Sequence, residues 1–195
     1  MRTNDHQFSE LRTNHSLLQV NLREEILREH SRRQTERIIS YIGADQKKFD
    51  ALVELFLKGE YRVTQRAGWP MSELVIAHPQ LIKKHLKKLL LNTKKPNLHN
   101  AVLRNTFRLL QFVSIPKPLQ GLAVETCFHF LNDMKQPVAI HVFSMSVLGN
   151  LCKEYPELKG ELKLSIESHL PNASAGFRSR AKKVLKQIDN QSSAN

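Results

Sequence analysis

Two cysteines, seven glycines and one tryptophan are all that 195 residues hold of those types, and aromatic residues make up only 7% of the chain. Each scarcity excludes something. Cys127 and Cys152 stand singly in apolar stretches, so they supply neither a disulfide framework nor a four-cysteine metal site and read as small buried thiols of a reducing compartment. Glycines this sparse, mostly at the ends of apolar stretches, leave no phosphate-cradling loop and no Gly-x-Ser-x-Gly elbow. No run approaches the ~20 apolar residues needed to cross a bilayer, and Met1 to Glu10 contains no apolar leader core. A soluble cytoplasmic protein, monomeric and with no membrane partner, is the expectation.

What is abundant is positive charge, unevenly placed. The formal net charge is +12, yet residues 1–60 hold 10 basic and 10 acidic side chains, so the entire excess lies in residues 61–195. Such a field draws in an acidic partner: an acidic protein or peptide, with nucleic acid as the alternative. The 41% apolar content is enough, at this length, for a sizeable core.

The core residues recur with a period. Pro79, Pro118 and Pro156 are nearly evenly spaced, and about a dozen residues before each stands a small residue in an apolar helical pattern: Ala67, Thr106 and Ser144, with Ala181 as a fourth member. Three further columns keep the same register: Val63, Val102, Ile140, Phe177; Met71, Leu110, Leu148, Leu185; and Leu74, Val113, Leu151, Ile188. Within a copy they fall at i, i+4, i+8 and i+11, one stripe of an amphipathic helix. Proline suits the start of the second helix because its missing N–H has no intrahelical partner there. The small residue lets neighbouring helices approach.

The pattern predicts helices over 20–42, 45–58, 61–77, 79–92, 99–114, 118–132, 137–154, 156–169 and 175–189, with breaks at Gly43, Gly59, Asn92–Asn97, Gln136-Pro137 and Leu170–Ser174. A single domain is expected over 1–195: a flexible tail at 1–15, an N-terminal capping helix pair at 20–58, repeats at 61–92, 99–132 and 137–170, a C-terminal capping helix at 175–189, and a frayed end beyond 190. Pro70 falls inside the helix 61–77, beside Gly68, and is expected to bend it without breaking it.

Arg62-Val63-Thr64-Gln65-Arg66-Ala67, leading through Leu74 to His78-Pro79, resembles the HEAT and armadillo-like α-helical repeat family, and the likeness extends over roughly residues 22 to 190. The resemblance implies an all-α superhelix, a short solenoid of about four helical hairpins plus the capping helix, acting as a binding scaffold. It also implies that the second helix of each pair lines the concave side.

Two basic strips are candidate partner-binding surfaces. Lys83, Lys84, Lys87 and Lys88 share one helical face opposite Leu81, Ile82, Leu86, Leu89 and Leu90, and the resemblance places this face in the groove. The strip has no counterpart in the next two hairpins, so a continuous basic groove is not expected; the bland alternative is a solvated lysine face. Arg178, Lys182, Lys183 and Lys186 form the second strip, opposite Phe177, Ala181, Val184, Leu185 and Ile188. A polar outer face on a terminal cap, which a repeat array needs for solubility, is the favoured explanation of this second strip.

Trp69 with Glu73 one turn later resembles the arrangement in DNA-alkylation-repair HEAT-like glycosylases, where a tryptophan precedes an aspartate by one turn. Here the acid is glutamate, no second tryptophan exists, and the sequence alone places no matching arginine, which favours a tryptophan packed between repeats over one that stacks on a base. Nine histidines contain no His-Glu-x-x-His pair, and Cys127 and His129 at i, i+2 point to different helix faces, so no metal site and no cofactor is expected. His141, in an apolar run, reads as buried and hydrogen-bonded. With no catalytic constellation, the leading expectation is a non-enzymatic binding module for an acidic protein segment; the alternative is a nucleic-acid-binding protein, at its extreme a DNA glycosylase.

Overall fold

A computed structural model of the protein describes residues 21–190; the tail expected over 1–15 and the frayed end beyond 190 lie outside them. Among the described residues there are ten α-helices and no strand: α1 (Leu22–Arg28), α2 (Arg32–Ile42), α3 (Gln46–Lys58), α4 (Tyr61–Ala77), α5 (Leu86–Thr93), α6 (Asn100–Leu110), α7 (Lys117–Asn132), α8 (Val138–Leu151), α9 (Leu158–His169) and α10 (Ala175–Asn190). A 3-10 segment, Pro79–His85, runs into α5, and a shorter one, Leu170–Asn172, follows α9.

One helix is expected over 20–42, and the structure has two. Ser31 ends the first and caps the second: its hydroxyl accepts from the Gln34 N–H at 3.1 Å. The Gln34 amide reaches back to the Glu25 carbonyl at 2.7 Å and to its carboxylate at 2.8 Å, tying α2 to α1. The Ser31-x-x-Gln34 spacing is a capping-box signature that outweighs the apolar periodicity running across it.

The prolines also behave less uniformly than their spacing suggests. Pro79 does occupy the first position of its segment, but the opening turns are 3-10. Pro118 is the second residue of α7. Pro156 instead sits in the turn before α9, closed by the Leu158 and Lys159 N–H groups bonding to the carbonyls of Tyr155 and Pro156, each at 3.1 Å. α4 runs unbroken through Pro70, whose ring is buried and offers no N–H to the Arg66 carbonyl.

The buried apolar side chains form one connected cluster from Leu22 to Ile188. All four small residues of the repeat column lie inside it: Ala67, Thr106 and Ser144 are fully buried and Ala181 nearly so. They hold α4, α6, α8 and α10 in one closely packed row, while α3, α5, α7 and α9 form a second row with looser mutual contact. Gly68 shows how tight the first row is: a Cβ there would stand 2.3 Å from the Asn105 Nδ2 on α6.

The tight row carries a second repeated device. A helix leaves its last carbonyls without intrahelical donors, and here a side chain one repeat onward supplies them. Arg66 donates to the Leu27 carbonyl at 2.7 Å, Asn150 to Gln111 at 3.1 Å, and Gln187 to Gly149 at 2.9 Å.

Candidate functional site

The strip Lys83, Lys84, Lys87 and Lys88 is exposed along the 3-10 segment and α5, on the looser row. α4, α6, α8 and α10, the more closely packed row, lie on the other side of the array.

Four residues of α3 face the strip at i, i+4, i+8 and i+12, and three of them form rungs to it. Gln46 donates to the Leu81 carbonyl at 2.9 Å. Asp50 takes Lys84 and His85, both at 2.6 Å. Glu54 pairs with Lys88 and, within its own helix, with Lys58 at 2.7 Å.

Both acids are held ionised. Partial burial works against the Asp50 carboxylate, but hydrogen bonds from Lys84, Gln46 and His85 outweigh it and hold its pKa at about 2. Glu54 is held at about 2 by hydrogen bonds from Lys58 and Lys88. The strip thus divides in two: Lys84 and Lys88 are spoken for, whereas Lys83 and Lys87 have no ion-pair partner among the described residues.

Where the fourth rung belongs, between Lys58 and Asn92, there is a pocket of about 450 Å³ lined by Leu57, Lys58, Lys84, Lys87, Lys88, Leu91, Asn92 and Lys95. Its walls are basic and its floor is partly apolar, with Leu91 46% exposed. Sequence reasoning missed Asp50, Glu54, Leu91 and Asn92. The i, i+4 spacing of the two acids is visible in the chain, but the helix they face lies 34 residues away.

Trp69 is half-buried where α2 meets α4, lining a pocket of about 300 Å³ with Arg32, Thr35, Glu36, Ile39 and Glu73. The His30 ring meets its edge at 6.3 Å. Arg108 on α6 brings its Nη2 to 3.8 Å from the Glu73 carboxylate on the same row.

The other strip, on α10, is exposed at Arg178, Lys182, Lys183 and Lys186. Arg178 caps the Ala173 carbonyl at 3.0 Å. The three lysines have no ion-pair partner among the described residues, and no pocket joins them to the first strip.

His141 is buried and bonds through Nε2 to the Asp133 carbonyl at 2.9 Å. Its ring lies 4.7 Å from that of His169, which stacks on Phe177 at 5.2 Å. Burial pushes both cysteine thiols above their ordinary pKa. Among the described residues no three His, Cys, Asp or Glu side chains gather as a metal site requires, and no helix is long and apolar enough to cross a membrane.

Comparison with curated proteins and with solved structures returns no significant match. The profile described as HEAT repeat domain matches residues 22–188, which take in nearly all of both helical rows. Stacked hairpins with a tight row of small residues, and a family profile covering most of the chain, make this protein a member of the HEAT repeat domain family.

Proposed function

We propose that the protein is a non-enzymatic interaction scaffold whose looser row, at Lys83, Lys84, Lys87, Lys88 and Lys95, engages an acidic segment of a partner protein. The observation that carries this reading is the unbalanced charge of that face: after Asp50 and Glu54 have engaged Lys84, Lys88 and Lys58, Lys87 and Lys95 still face a pocket with a partly apolar lining. A stacked array exposes much surface per residue, which suits an extended ligand. The test is anisotropy of a fluorescein-labelled glutamate-rich peptide at low ionic strength. Binding should weaken steeply with added salt and be lost when the four strip lysines are reversed to glutamate; an unchanged affinity in that variant refutes the reading.

Trp69, which shares a pocket with Arg32 and Glu73, and Arg108, which pairs with Glu73, favour a second reading, nucleic-acid binding on the tighter row, with base excision as its enzymatic extreme. An aromatic ring with arginines nearby is the chemistry that holds an unstacked base. Binding of labelled duplex DNA, lost in folded Trp69→Ala and Arg108→Ala variants, would establish it. Absence of DNA binding at low salt would end it.

A further inference from the structure

The pocket at the end of the acid–lysine ladder has the makings of a specific subsite. The ladder advances four residues per rung on α3, at Gln46, Asp50, Glu54 and Lys58, and three and then four residues per rung opposite, at Leu81, Lys84, Lys88 and Asn92. At the second and third rungs a carboxylate stands between the helices. At the fourth, α3 presents Lys58, whose ammonium turns back to Glu54. No carboxylate fills the space, and Lys58, Lys87 and Lys95 surround it.

A further observation points to the missing group. Asn92 is 5% exposed, lines this pocket, and its side-chain Nδ2 has no hydrogen-bond partner. A buried donor without an acceptor carries a desolvation cost that an incoming oxygen would relieve. Beside it stand two apolar groups, Leu57 and the half-exposed Leu91.

We infer that this pocket takes one carboxylate side chain of a partner protein together with an adjacent bulky apolar side chain. The carboxylate pairs with Lys87 or Lys95, and the Asn92 amide, whose Nδ2 is enclosed in the free protein, turns outward to donate to it, so that the acid occupies the fourth rung as Asp50 and Glu54 occupy the two before it. The apolar neighbour lies on Leu57 and Leu91. Charge complementarity argues for an acid, and the apolar floor argues for a side chain beside it, which an isolated anion lacks. The inference rests on the acidic-partner reading and narrows it from a charged face to a motif: an acid next to a leucine-like residue.

The experiment uses the full chain and three fluorescein-labelled peptides at low ionic strength. One carries Glu-Glu-Leu-Glu-Glu between glycines, one replaces the leucine by serine, and one replaces the central glutamates by phosphoserine. The first should bind, and loss of its leucine should cost about tenfold in affinity. Lys95→Glu, Leu91→Ser and Asn92→Asp should each weaken the first peptide about tenfold. Asn92→Asp nearly keeps the side-chain shape but replaces the donor by a carboxylate; should it unfold the protein, the exposed positions Leu91 and Lys95 still decide the question.

Unchanged affinity in the Leu91 and Lys95 variants, with binding abolished by reversing Lys83, Lys84, Lys87 and Lys88, would sink the subsite and leave the acidic-partner reading standing. Failure of the unmodified protein to bind either glutamate peptide would remove both. Binding of the phosphoserine peptide alone would replace the carboxylate by a phosphate and overturn the inference as stated.

Discussion

The tight and loose rows of helices are joined in opposite ways. Between α4, α6, α8 and α10 the joints are small residues, a glycine under Asn105, and side chains that reach the carbonyls at helix ends, a device that also ties α4 to α1. Between α3, the 3-10 segment and α5 the polar joints are mainly carboxylates facing lysines, with side chains 30% to 55% exposed. α5 and α7 continue the theme through Lys94 and Glu125, 2.8 Å apart. Close packing stabilises but admits no substitute for a buried contact, whereas an exposed ion pair contributes little and can exchange its partner for another of like charge. One row holds the array together; the other keeps replaceable contacts at its surface.

Mutations should separate the rows by the size of their effects. Leu74→Ala, in the tight row and fully buried, should cost about 2–5 kcal/mol in chemical denaturation. Gly68→Ala should cost about 1–3 kcal/mol, because its Cβ meets Asn105. Lys88→Ala, in the loose row, should stay within about 1 kcal/mol. A Lys88→Ala cost matching that of Leu74→Ala would erase the distinction.

Acid should act at two places at different pH, first on the buried His169 and later on the Asp50 and Glu54 ladder. Burial foremost, and then the neighbouring His141, hold the His169 pKa below its ordinary value, against a backbone hydrogen bond at Leu131 that pulls the other way. The unfolded chain therefore binds that proton first, so the stability present above pH ~6.5 declines as pH falls below it. His169→Phe should abolish this step in urea midpoints measured across pH 7 to 5. The Asp50 and Glu54 contribution is present above pH ~4 and lost as pH falls toward about 2. That second loss should be small, within about 1 kcal/mol, since both carboxylates are well exposed to solvent screening. Reversing Lys182, Lys183 and Lys186 together should have the least effect, leaving both stability and acidic-peptide binding unchanged; a loss of binding there would move the partner surface to α10.

The repeat was legible because it is written in burial, and burial follows helical periodicity. Val63, Val102, Ile140 and Phe177 are all buried, as their spacing implies. The break at Ser31 was hidden by apolar residues that stay in phase across it, although Ser31-x-x-Gln34 carried the signal. The basic strip was readable as four lysines, but not its division into engaged and unpartnered pairs, which depends on where α3 lies. Nor could the spacing of helices along the array be read, because it is set by contacts among residues some 39 positions apart. Arg108 illustrates the same limit: its approach to Glu73 depends on the rotational phase of two helices, and a linear chain does not record it.

The bond from Arg66 to the Leu27 carbonyl bears on the order in which the chain takes shape. α1 has seven residues, too few to persist alone in water, so it depends on partners that emerge later: Gln34 of α2, which bonds Glu25, and Arg66, 39 residues after the carbonyl it caps. During synthesis this short helix gains its full set of contacts only when α4 has left the ribosome and folded back against it.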